Sequence, residues 1–119
     1  MKLKVRIRGS KVHEVGYRVF LLRKALELGA ERFNALNSDE DNLQILTAFI
    51  EGPKDLIADF SEAARSHKPA MAEIMDISFQ EHKGYIIGIG DYIHLLKVEL
   101  LNEGVSALPK GGYARPSPA

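Results

Sequence analysis

The chain begins with a strict alternation. Leu3, Val5 and Ile7 are apolar, and Lys4, Arg6 and Arg8 between them are cationic. A period of two sends each set to its own side of an extended backbone, so this stretch predicts a half-buried strand. The alternation stops between Gly9 and Gly16, and a different spacing starts at Arg18. Val19, Leu22 and Leu26 fall at i, i+3 and i+7, with Leu21, Ala25 and Leu28 at i, i+4 and i+7 beside them. That is the broad apolar face of a helix, and Gly29 can adopt the left-handed backbone that ends one.

The same reading continues downstream. A second strand is expected over residues 32–37, a turn over the polar run 38–42, and a third strand over residues 43–50. Leu46, Ala48 and Ile50 back onto Leu43, Ile45 and Phe49, so both faces of that third strand are apolar enough for a central place. Gly52-Pro53 then opens a helix whose inward stripe is expected at Leu56, Phe60 and Ala63, ending by Lys68-Pro69. Met75, Ile77 and Phe79 alternate with Asp76, Ser78 and Gln80, giving a fourth strand. The order βαββαβ with short connections predicts an α+β, ferredoxin-like sandwich, with two helices on one face of an antiparallel sheet.

Residues 1–90 make up this domain. Tyr85 to Ile89 reads as a short edge strand, and residues 91–108 as a C-terminal extension. Asp91 is a suitable N-cap, and Ile93, Leu96 and Leu100 have helical spacing, so helix is preferred there over a further strand. Its apolar content exceeds what a lone surface helix needs, so packing on the domain or against a second copy, as a homodimer, is expected. The Pro- and Gly-rich residues 109–119 read as a mobile tail.

Composition narrows the function classes. The 119 residues suit one core, and 45% hydrophobic with 27% charged residues is ordinary for a globular domain. Sixteen basic residues balance sixteen acidic ones, which argues against nucleic acid as the main partner. Lys4, Arg6 and Arg8 are read as the wet side of the sheet rather than as an anion-binding stripe. No cysteine is present, so thiolate metal sites and disulfides are excluded, in keeping with a reducing compartment. His67, His82 and His94 lack metal-ligand spacing, and no metal or cofactor is expected. The N-terminus has no signal-peptide pattern, and no apolar run nears the roughly 20 residues that span a bilayer. A cytoplasmic protein without a membrane partner is the expectation.

The candidate chemistry lies in Val12-His13-Glu14-Val15-Gly16-Tyr17-Arg18. A strand runs into this loop, and the loop runs into a helix N-terminus. Successive N–H groups in such a loop can converge on an anion, favoured by the positive end of the helix dipole. Gly16 eases the tight curve, and Arg18 brings a planar fork of donors suited to phosphate oxygens.

These residues resemble the acylphosphatase family, whose loop has the form G-x-V-Q-G-V-G-[FY]-R before an apolar helix. Val12, Val15, Gly16, Tyr17, Arg18 and Phe20 coincide with it, and Ile50-Glu51-Gly52-Pro53 looks like the family's strand end. The resemblance covers roughly residues 3 to 82. It implies hydrolysis of acyl phosphates to carboxylate and inorganic phosphate. Phosphate would be held by Arg18 and the amides of the 12–17 loop, and an Asn on the second strand would orient water. Ser10 and Glu14 stand where the family has Gly, and His13 where it has Gln. Counting from Phe33 without a gap puts Leu36 at the water-orienting place. Asn37 reaches it through a one-residue shift and is carried forward, with Asn34 as the other candidate. The alternative is a relative that keeps the fold and binds an anion, protein or nucleic acid without turnover.

Overall fold

In a computed structural model, residues 1–107 are described, with side chains to residue 102. The expected tail over 109–119 lies outside the described residues. The elements are β1 (Lys2–Lys11), α1 (Tyr17–Glu27), β2 (Arg32–Glu40), β3 (Leu43–Glu51), α2 (Lys54–Ser66), β4 (Glu73–Glu81) and α3 (Ile89–Ala107). The four strands form an antiparallel sheet in the order β2-β3-β1-β4, the ferredoxin-like arrangement expected from the element order. Residues Met1–Ile89 close into one unit, and a second begins at Gly90.

One face of the sheet carries the core. Val5 and Ile7 of β1, Leu46, Ala48 and Ile50 of β3, and Phe33 and Ala35 of β2 are buried, as are Leu21 and Ala25 of α1 and Ile57 and Phe60 of α2. Phe33 meets Phe60 edge-on at 6.1 Å, locking the sheet to α2. Lys4, Arg6 and Arg8 alternate onto the other face. There Arg6 pairs with Glu40, and Arg8 pairs with Asp76 at 2.6 Å. Two of the three cations are thus paired locally.

Several sequence expectations shift in detail. α1 begins at Tyr17, whose ring takes a core place; this rotates the helix, so Tyr17, Leu21, Leu22 and Ala25 are buried while Val19 and Leu26 are exposed. In α2 the inward residues are Ile57, Phe60 and Ala64, and Leu56 and Ala63 are only half-buried. α1 ends in a Schellman motif: Gly29 (φ 82°) donates to Leu26 and Ala30 donates to Ala25. The expected turn over 38–42 contracts to Asp41-Asn42, both left-handed (φ 52° and 66°), a two-residue hairpin that lets β2 run on to Glu40.

β4 carries a bulge. Arg8 pairs with Asp76 but Gly9 pairs with Ile74, which leaves Met75 without a partner and 62% exposed. Gly9 permits this close approach, since a Cβ there would lie 2.1 Å from the Glu73 carbonyl oxygen. The segment expected as an edge strand forms no regular strand among the described residues; it makes an isolated bridge, Arg32 to Gly88, flanked by the bonds from Phe33 N–H to Ile87 C=O and from Ile89 N–H to Glu31 C=O. α3 begins two residues before Asp91 and leaves Leu95, Val98, Leu100 and Leu101 exposed. No helix among the described residues is long and apolar enough to cross a membrane.

Candidate active site

The loop between β1 and α1 is pinned at its start. The N–H groups of Val12 and His13 both donate to Gln44 Oε1, each at 2.8 Å. The His13 ring Nε2 lies 2.8 Å from the Ile45 carbonyl oxygen, so it carries the proton and donates. The Val12 side chain is buried, anchoring the turn in the core. Two amides expected among the anion ligands are therefore engaged within the protein.

The second half of the loop is different. Glu14 has φ 58° and Gly16 has φ 78°, while Val15 between them is not in the left-handed region. Alternating signs of φ are what an anion-binding nest requires of its backbone. The N–H groups of Glu14, Val15 and Gly16 have no acceptor among the described residues. Gly16 is also the N-cap of the eleven-residue α1, and no side chain among the described residues caps that end. The exposed Glu14 side chain makes no hydrogen bond among the described residues, so its carboxylate does not cap these N–H groups. A Cβ on Gly16 would meet nothing within 4 Å, and a cleft of about 580 Å³ runs from Gly16 past Val19, Phe20 and Arg23 to Pro69.

Arg18 is half-buried in the first turn of α1. Tyr17 is 1% exposed and packs edge-on against Phe20 at 5.9 Å. Its hydroxyl is buried with no hydrogen-bond partner among the described residues, and desolvation pushes the phenol up to about 12.

The β2–β3 register is unbroken from Arg32↔Glu51 to Glu40↔Leu43, so β2 faces follow simple parity. Asn37 lies on the core side with Phe33 and Ala35, opposite Leu46. Leu36 and Asn34 lie on the other side, opposite Thr47 and Phe49. Gln44 is the next core-side residue of β3 after Leu46, a diagonal neighbour of Asn37 at roughly 7–8 Å. The residue that grips the loop thus sits beside the candidate water-orienting Asn. Gln44 was not singled out from sequence; its only sequence signal is its place two residues before Leu46 on the same face of β3.

The family model for acylphosphatase matches residues 3–86, the sandwich and its loop together. The chain belongs to the acylphosphatase family. Among solved structures, an acylphosphatase from Bacillus subtilis is 22% identical, with 71% of this chain and 89% of that one covered at a TM-score of 0.52. The designed protein Foldit4 is 13% identical, with 71% and 97% covered and a TM-score of 0.54. Full-length HypF, in a phosphate- and nucleotide-bound form, is 19% identical, with 70% of this chain and 10% of that one covered at a TM-score of 0.51. A designed protein fits as well as a natural acylphosphatase, so these likenesses describe the fold alone. No curated protein matches the chain. Within the acylphosphatase loop, Glu14 keeps a backbone suited to the family's Gly, and the left-handed φ is therefore strained.

Proposed function

We propose that this member of the acylphosphatase family hydrolyses acyl phosphates. The N–H groups of Glu14, Val15 and Gly16, the helix dipole and Arg18 hold the phosphoryl group, and Asn37 orients water. The observation that carries this reading is that the N–H groups of Glu14, Val15 and Gly16, where φ changes sign before the first turn of α1, have no acceptor among the described residues.

Water oxygen attacks phosphorus in line with the acyl oxygen, and the P–O bond to the carbonyl group breaks. The bonding pair leaves on the carboxylate, and the protons of water end on inorganic phosphate or in solvent. The leaving group is a weak base, so an Asn that positions water suffices in place of a general base. The N–H groups spread the charge of the equatorial oxygens without reorganising.

Hydrolysis of benzoyl phosphate, followed by absorbance, tests this. Turnover is expected in the wild type and a loss of about 10²-fold or more in Arg18→Ala. Equal rates in the two would overturn the assignment. Hydrolysis in ¹⁸O water should place the label in phosphate rather than benzoate.

A second reading is that the loop binds an anion without turnover. It is favoured by the engagement of Val12 and His13 with Gln44, which reduces the donors available. Phosphate binding in the absence of any benzoyl phosphate hydrolysis would select it.

A further inference from the structure

Two consecutive N–H groups converge on one side-chain oxygen, as they would on an oxygen of a bound anion. Val12 and His13 each reach Gln44 Oε1 at 2.8 Å, and two donors fix the amide with its oxygen towards the loop. Gln44 stands on the central strand β3, held on one side by Gly9 and on the other by Asp39. His13 adds a second tie to the next residue of that strand, the Ile45 carbonyl. Beyond these ties the φ angle inverts at Glu14, and the N–H groups of Glu14, Val15 and Gly16 have no acceptor among the described residues.

We propose that Gln44 is the positioning residue of the loop, and that phosphate therefore sits on the N–H groups of Glu14, Val15 and Gly16 without touching those of Val12 and His13. This rests on the reading of the loop as an anion site. Gln44 satisfies the first half of the loop in advance, so a ligand orders less backbone on arrival. Without the Gln44 oxygen, ground state and transition state weaken together, which raises KM and leaves kcat nearly unchanged.

The experiment uses the full chain with two substitutions. Gln44→Met keeps the length and removes the acceptor, whereas Gln44→Glu keeps an oxygen facing the loop. Amide exchange at Val12 and His13 is expected to accelerate in Gln44→Met and to stay near wild type in Gln44→Glu. Titrating inorganic phosphate into the wild type should move the amide resonances of Glu14, Val15 and Gly16 and leave Val12 and His13 in place. Gln44→Met should raise KM for benzoyl phosphate by about 5- to 10-fold, with kcat within about twofold. Unchanged exchange in Gln44→Met, an unchanged KM, or phosphate shifts at Val12 and His13 as large as those at Gly16 would overturn the role of Gln44. A wild type in which no loop amide responds to phosphate would overturn the anion site itself, whatever the exchange data show.

Discussion

Asn37 stands directly across from Leu46, and Leu46 directly across from Ile7, so the three side chains share the helix-covered face of the sheet. Leu36 belongs to the opposite face and is 52% exposed. Asn37→Ala is therefore expected to cut kcat for benzoyl phosphate by about 10²-fold or more, while Leu36→Ala changes it less than about twofold. Steady-state kinetics on the two variants decides the matter, and the reverse ranking would remove Asn37 from the site.

Glu14 holds a left-handed backbone (φ 58°) that costs a side-chain-bearing residue roughly 1–2 kcal/mol. Glycine recovers that strain but has more freedom to lose from the unfolded chain, about 0.5–1 kcal/mol. Glu14→Gly should thus stabilise the protein by roughly 0.5–1 kcal/mol, read as a higher urea midpoint. It should also tighten phosphate binding, because a negative charge beside the nest disappears. A lower midpoint would show that the Glu14 side chain contributes contacts that outweigh its strain.

Tyr17 buries a hydroxyl that finds no partner among the described residues. Tyr17→Phe keeps the ring and removes the unsatisfied group, a gain of about 1 kcal/mol. The same burial holds the phenol at about 12 against an ordinary 10.0. Below pH 10 both folded and unfolded chains keep the proton, so the phenol adds no pH dependence. As pH rises from 10 towards 12, the unfolded chain loses the proton first and stability falls. The advantage of Tyr17→Phe over wild type should therefore widen above pH 10 in parallel denaturation series. A constant difference would mean that the hydroxyl is solvated.

Gly9 lets β4 approach where the bulge at Met75 forms. An added Cβ would strike the backbone carbonyl of Glu73 at 2.1 Å, which cannot move like a flexible side chain. Gly9→Ala should destabilise by roughly 2–4 kcal/mol, visible in thermal unfolding, with faster amide exchange along β4. Unaltered exchange would show that the β1–β4 edge tolerates separation.

Much of the fold was legible in the residues. The change of period from Ile7 to Leu22, the Gly29 cap and the two-sided apolarity around Ile45 and Leu46 are local patterns, and they named the strands, the helices and their order. The loop from Val12 to Arg18 was legible for the same reason, because its glycine and arginine have a fixed covalent spacing. Errors fell where side-chain direction depends on a distant partner. Met75 was counted into one row with Ile77 and Phe79 because alternation cannot register a bulge created by β1 at Gly9. The stripes of α1 and α2 were misjudged by a residue because Tyr17 and Ile57 win core places only once the sheet is present.

What the sequence by itself determined, then, is which elements form, in what order, and that a loop matching the acylphosphatase family enters α1, since each follows from residues close in the chain. Tertiary structure decided which face Asn37 occupies, through a two-residue turn at Asp41-Asn42 and an unbroken ladder to β3. It also decided which loop amides stay open, through Gln44, some thirty residues away in the chain. Facing and hydrogen-bond satisfaction depend on what the strand pairs with, and that information exists only after the sheet has closed.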